Sequence, residues 1–291
     1  MHVMAYGKSA NNKIDQYKSK TFQNAIMWII LGFFLFYTIS PLVWLVISSL
    51  KTNGELMGAP LALPSKLQFQ NYLNAFRVSG LGRLFLNSII VSITATLLNV
   101  MISSMASYAI ARHDFKGKEF IFTIISAGIM VPVSALMVPV FILIKNLGLY
   151  DSKLALILTY SAMRLPLSIF IIRGFMNTIP RELEEAGVID GCNFYQRFYK
   201  IILPLSRAGI VTAITFQFLY CWNEFIYAML LTSSQTNRTV QVGIRFFSNQ
   251  FTTDYTSMFA AITISIIPAI AGYVLFQRQI ISGLTSGAVK G

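Results

Sequence analysis

Long apolar stretches separated by short polar connections run along almost the whole chain. A hydrocarbon core of about 30 Å is crossed by about 20 helical residues, and six stretches reach that length. They cover Asn24 to Leu50, Leu84 to Ala111, Phe120 to Ile144, Leu154 to Ile172, Ala208 to Leu231 and Met258 to Phe276. Strands of a membrane barrel would alternate apolar and polar positions over roughly ten residues, and these runs do not. The pattern predicts an all-α integral membrane protein, a six-helix bundle at 24–282 between an N-terminal segment at 1–23 and a tail at 283–291.

Polar positions within the spans carry the next layer of information, because each needs a partner or water at membrane depth. In the second span Ser88, Ser92, Thr96, Asn99, Ser103 and Ser107 recur at steps of three and four and share one face. Small polar residues of this kind let helices approach closely, so packing is the first reading and pathway lining the second. In the fifth span Thr212, Tyr220, Asn223 and Tyr227 share a face flanked by Gln217 and Glu224. Rings and amides together suit a pathway for a ligand with polar edges and apolar faces, and the alternative is an interfacial aromatic belt together with internal helix contacts. Tyr160, Arg164 and Ser168 follow one another at i, i+4 in the fourth span. Arg164 and Glu224 are expected to lie close together in the outer half of a cavity and to pair, with Arg164 snorkelling to the interface as the alternative. Pro132, Pro139, Pro166 and Pro268 mark kinks, read equally as hinges or as static bends.

Composition agrees: 55% of the 291 residues are hydrophobic and 12% charged, with mean hydropathy +0.63. The net charge of +12 does not indicate nucleic acid, because the basic residues are spread over the connections between spans. With both termini in the cytoplasm, 14 Lys and Arg lie inside and 8 outside, which follows the positive-inside rule for a multi-pass plasma-membrane protein. Lys8, Lys13, Lys18 and Lys20 precede a first span too long for a signal peptide's apolar core, so it is read as uncleaved. Cys192 and Cys221 fall on a connection and inside a span, which gives no disulfide framework.

The longest cytoplasmic connection, Arg173 to Arg207, has organisation of its own. Pro180 follows Thr178 at a plausible helix start, and Glu182, Glu184 and Glu185 fall in its early turns, where the helix dipole favours acids. Asp190-Gly191 supplies a stop. Asn193 with Gln196 three residues on forms a capping box that starts a second short helix. Pro204 is placed in the first turn of the fifth span, and Gly191 at a bend needing positive φ.

Within this connection Glu185-Ala186-Gly187, Asp190-Gly191 and Ile202-Leu203-Pro204 resemble the E-A-A loop of permease subunits in binding-protein-dependent ABC importers, at about 176–205. The full run looks like the carbohydrate-uptake branch, the maltose-type small permease. W-N-E-F at 222–225, Q-V-G-I at 241–244 and the ending Q-R-Q-I-I-S-G-L-T-S-G-A-V-K-G extend the likeness over most of the chain. The resemblance implies a coupling helix that docks in a cleft of an ATPase subunit, through Glu182, Glu184, Glu185, Ala186, Gly187, Asp190, Gly191, Phe194, Leu203 and Pro204. Ala186, Gly187 and Cys192 are small enough to let that helix sink into a groove. Gly187 stands where the family usually has Ala, at about 1 kcal/mol of helix propensity. It implies further a second, related permease subunit, two ATPase subunits, an external solute-binding protein, a sugar substrate and a lipid bilayer around the spans. Gly287 and Lys290 are implied as a tail contact with the ATPase, or else belong to a disordered end.

No cofactor is expected in this chain, with ATP and Mg bound by the partner. Gly7-Lys8-Ser9 lacks the glycine and the strand a phosphate loop needs, and His2 and His113 lie apart from each other and from the cysteines, so no metal spacing exists. No nucleophile motif suggests an enzyme. An ion-driven secondary transporter and a membrane enzyme stand as the rival classes.

Overall fold

The protein is described by a computed structural model covering the backbone of residues 3–247 and 254–288 and the side chains of 23–77, 80–245 and 254–277. Every regular element among them is helical. Three apolar helices are long enough to cross a bilayer unbroken: Gln23–Ser49, Leu81–Arg112 and Tyr255–Gln277. Three further spans are bent pairs, Lys118–Met130 with Val133–Asn146 at 96°, Lys153–Met163 with Leu165–Met176 at 47°, and Phe194–Leu205 with Arg207–Asn223 at 77°.

Each break has a local cause. Pro132 cannot donate a backbone hydrogen bond and stands in extended backbone between two 3₁₀ turns, so the third span turns sharply there. The fourth span bends at Arg164, just before Pro166. The fifth departs from expectation at both ends. Pro204 belongs to the rod Phe194–Leu205, before the 77° bend, so it does not open the membrane helix, which begins at Arg207. At the other end the helix stops at Asn223, Glu224 is extended, and a short helix Ile226–Leu231 follows. Helix Tyr255–Ala288 carries the sixth span past its expected end and includes Gly287, while Lys290 lies outside the described residues.

Helix Leu81–Arg112 is the axis of the bundle, packed by both halves of the fourth span and by Arg207–Asn223, which in turn packs on Tyr255–Ala288. Its polar stripe is fully buried. Asn99 donates to the Ser161 carbonyl at 2.7 Å and Ser107 to the Ile169 carbonyl at 3.1 Å, both on the fourth span. Ser88 accepts from the Val240 amide at 2.8 Å. The stripe therefore joins helices, as small polar residues do in membranes.

The connections at the two ends of this axis differ in build. At the Leu81 end, the Lys51–Arg83 connection holds two short helices, Asn53–Gly58 and Gln70–Ser79. Asp151 clasps the neighbouring connections: its carboxylate accepts from the Ser233 and Ser234 amides at 2.9 and 3.0 Å, and its own amide donates to Leu231. Partial burial pushes its pKa up, but the hydrogen bonds from Ser234 and Ser233 win and hold it down at about 2. The Arg112 end carries the element described next.

Candidate functional site

Beyond the fourth span the chain forms helix Glu182–Ile189, a bend at Gly191, and the rod Phe194–Leu205 with a π-helical stretch at Arg197–Ile202. The first helix closes by a Schellman arrangement: Gly191 has φ +78°, its amide donates to the Val188 carbonyl at 3.0 Å, and the Cys192 amide to Gly187 at 2.8 Å. The capping box forms as the sequence predicts, with Asn193 and Gln196 exchanging backbone-to-side-chain bonds of 2.9 Å. Gly191→Pro removes an amide used in the closure and forbids the positive φ. This variant is expected to insert normally and to be cut by protease in the rod at least tenfold faster than the native chain, for a closure worth about 1.4 kcal/mol or more.

Glu184 does not lie on an exposed acidic helix start. Its side chain turns inward, accepting from the Tyr108 hydroxyl at 2.6 Å and pairing with Arg112 Nε at 3.0 Å and Arg197 Nη1 at 3.7 Å. Arg112, whose side chain is 3% exposed, also donates to the Ile179 and Pro180 carbonyls at 2.9 and 3.2 Å. It thereby caps the chain leaving the fourth span. Tyr108 stacks within about a ring's width of Phe194 and Phe198, at 5.2 and 5.1 Å. Phe198 and Ile202 pack with Ile172 and Met176 into one buried cluster. Spans two and four therefore end in a common buckle that grips the bihelical element.

Gly187 is also buried, against Ile201 and Arg197 of its own rod. It serves the internal contact, so it is not offered to a partner groove as its size suggested. Among the other sequence-predicted residues, Glu182, Glu185, Ala186, Asp190, Gly191, Phe194 and Pro204 are exposed and Leu203 is half-buried. Ile189 is 87% exposed, and Val188, Tyr195 and Tyr199 are exposed too, which leaves an apolar and aromatic face largely uncovered among the described residues. The short connection after the second span is tied to the same element and to the fourth span that leads into it. Glu119 pairs with Arg173 at 2.8 Å and Asp114 with Arg181 at 3.7 Å, and the Asp114 pKa is lowered first by its hydrogen bond from Lys118 and then by the charges of Lys118 and Arg181.

Deep in the bundle the structure gathers five of the six other candidates. Tyr160, fully buried, donates to Glu224 at 2.7 Å. Glu224 also accepts from the Tyr227 and Ala228 amides at 2.8 and 3.0 Å, so its carboxylate caps the helix that restarts after the break. Tyr227 donates to the Val133 carbonyl at 2.7 Å, beside the break in the third span. Arg164 lies over the Tyr220 ring at 4.4 Å. The expected Arg164–Glu224 ion pair is not formed: no contact within 4.0 Å joins them among the described residues, and Glu224 is engaged by three other donors while Arg164 lies against an aromatic face. Asn223 stands apart, exposed and bonded to the Leu219 carbonyl of its own helix. Arg164 Nε and the Tyr220 hydroxyl are buried without hydrogen-bond partners, which leaves polar capacity in this place.

Residues 99–285 match the family described as binding-protein-dependent transport system inner membrane component. The diacetylchitobiose uptake system permease protein NgcG of Streptomyces coelicolor is 33% identical over 91% of this chain and 86% of its own. The trehalose transport system permease protein SugB of Mycobacterium tuberculosis is 35% identical over 92% and 99%, and the arabinooligosaccharides permease protein AraQ of Halalkalibacterium halodurans 34% over 89% and 94%. In a crystal structure of a bacterial ABC transporter that imports alginate, one chain superposes with a TM-score of 0.80 at 20% identity, over 89% of this chain and 97% of that one. With an apolar bundle, a buckled bihelical element and this sequence likeness over nine-tenths of its length, the chain belongs to the permease family of binding-protein-dependent transport systems, as one of their inner membrane components.

Proposed function

We propose that this chain forms half of the translocation pathway of an ATP-driven importer for sugars or oligosaccharides, and that it hydrolyses nothing itself. The observation that carries the reading is the buckled element: a stiff knob with an exposed apolar face, joined by buried ionic and aromatic contacts to the ends of two spans. Such a part converts the grip of an outside motor into movement of helices. The motor is a pair of ATPase subunits, which bind ATP and Mg; Glu182, Glu185, Ala186, Asp190 and Phe194 face it, and Ile189 presses into its cleft. This face lies in the cytoplasm with both chain termini, in line with the basic residues of the connections on that side.

The most apolar stretch of the first span is left unburied by its own chain, which buries only the Ser48–Ser49 end, and this fits a helix covered by lipid and by a second, related permease subunit that supplies the other half of the pathway. An external binding protein delivers the sugar at the Leu81 end. Relatives named for disaccharide and oligosaccharide uptake support the substrate class, and the Tyr220 and Arg164 pair offers a sugar an aromatic face and a donor. Uptake of labelled trehalose or diacetylchitobiose is expected in vesicles holding the whole complex with internal ATP. None is expected when the ATPase is omitted, and uptake driven by an ion gradient alone would overturn the reading.

A further inference from the structure

Between the first span and the helix Gln70–Ser79, residues 55–65 form a closed loop with a polar neck and an apolar tip. Glu55 accepts from the Ser65 amide at 3.1 Å and from its hydroxyl, and closes a capping box with Thr52. Its pKa is lowered to about 2, first by the Ser65 hydroxyl and then by the Thr52 amide, so the neck is held by a charged carboxylate. Between these two residues the sequence is L-M-G-A-P-L-A-L-P, without one polar side chain. Lys51, buried, ties the loop down by donating to the Ala59 and Pro60 carbonyls at 3.2 and 2.8 Å.

The tip is folded back along the first span rather than out into water. The Trp44 indole donates to the Pro60 carbonyl at 3.0 Å. Between Lys20 and Lys51 the chain carries no charged side chain, and as helix this stretch extends about 45 Å, close to the thickness of hydrocarbon plus both interfacial layers. Ser49 then stands at headgroup level and Trp44, five residues earlier and leaning towards the helix N-terminus, about 7 Å deeper. That is the boundary where tryptophan is favoured. Next to Pro60 in the chain, Leu61 is 88% and Leu63 78% exposed, and Met57 of the loop and Leu42, Val43 and Val46 around Trp44 on the helix are exposed too.

We propose that the tip of this loop is a lipid anchor, with Leu61 and Leu63 seated among the acyl chains just below the headgroups of the leaflet opposite the coupling element. Burying two leucine side chains there takes out of water apolar surface that would otherwise stay exposed. Prolines at both ends of the tip leave fewer backbone donors to satisfy in that place. The anchor adds to the contacts that hold the outer end of the first span, where Ser49 bonds the Tyr72 hydroxyl at 2.8 Å and Trp44 meets the Phe259 ring at 5.5 Å.

The test uses the assembled complex in vesicles, with Cys192→Ser and Cys221→Ala as background and Leu61→Cys carrying an environment-sensitive dye. Lipids brominated near the glycerol end of their chains are expected to remove most of the emission, and iodide in the water little of it. Quenching by iodide without quenching by bromine would place the tip in water and overturn the anchor. Shielding from both quenchers would place a protein over it, the second subunit or the binding protein, and overturn it equally. Leu63→Cys carries the same reading should the first variant fail to assemble.

Discussion

Arg112→Ala is expected to cut ATP-driven uptake by about a hundredfold while the spans remain inserted. Breaking a buried ion pair by removing one partner costs about 3–5 kcal/mol, because the remaining charge is stranded, and about 3 kcal/mol is a hundredfold in an equilibrium. Here Glu184 would lose its closest cationic partner and keep only the longer contact to Arg197 at 3.7 Å and the Tyr108 hydroxyl, and the carbonyls of Ile179 and Pro180 would lose their donor. The equilibrium that shifts is local: the bihelical element held on the bundle against the same element swinging free. Glu184→Ala removes the acid but leaves Arg112 its carbonyl partners, so its loss is smaller. Glu184→Gln, which still accepts from Tyr108, falls between it and the native chain.

Replacing the whole cluster tests the cause. Tyr108→Phe, Arg112→Met and Glu184→Met together substitute packing for paired charge, and such exchanges are often neutral in stability. The triple variant is expected to recover most of the uptake lost by Arg112→Ala, read in vesicles together with co-purification of the ATPase. Equal uptake by Arg112→Ala and the native chain would remove the buckle from the mechanism. A loss in Glu184→Ala larger than in Arg112→Ala would show that the acid acts outward, on a partner, rather than inward.

How much of this was open to a reader of the sequence depends on the range of the interaction. Apolar runs, the capping box at Asn193 and the positive φ at Gly191 are set by residues within a few positions of one another, and all are found as read. Glu184 meets Arg112 across 72 positions. Its inward turn depends on how the second span, the fourth span and the rod converge, and no local pattern encodes that. One signal was present: Tyr108 and Arg112 stand four apart at the end of a helix, with Ser107 and Ala111 beside them, a polar patch too large for a simple exit from the membrane. Gly187 misleads in the same way, since its small size is used against Ile201 of its own chain. The break at Glu224 was hidden because W-N-E-F lies within an apolar stretch that composition alone reads as unbroken helix. Only the chain's return to helix at Ile226 gives the acid its place.

Glu224→Leu is expected to prevent accumulation of the assembled protein, the second large effect. The side chains are close in volume, so the change is chiefly one of hydrogen bonding. Removing the carboxylate strands the Tyr160 hydroxyl, in a residue with no exposure, and the Tyr227 and Ala228 amides at the restarted helix. Each orphaned buried group costs about 1–3 kcal/mol, so three of them approach the whole stability of a typical domain. Glu224→Gln keeps one acceptor oxygen, and the Tyr160 hydroxyl can turn to accept from the new amide, so this variant is expected to assemble with a lowered melting temperature. Tyr160→Phe in the Leu background removes one orphan and is expected to restore part of the yield, a coupling that a substrate-contact role for Glu224 would not produce. Arg164→Met gives the contrast: its guanidinium meets only the Tyr220 face among the contacts found here, so assembly is expected to survive while the KM for uptake rises. If Glu224→Leu instead accumulates normally and loses only transport, the carboxylate faces the sugar in the working complex, and the cap at the restarted helix is incidental to it.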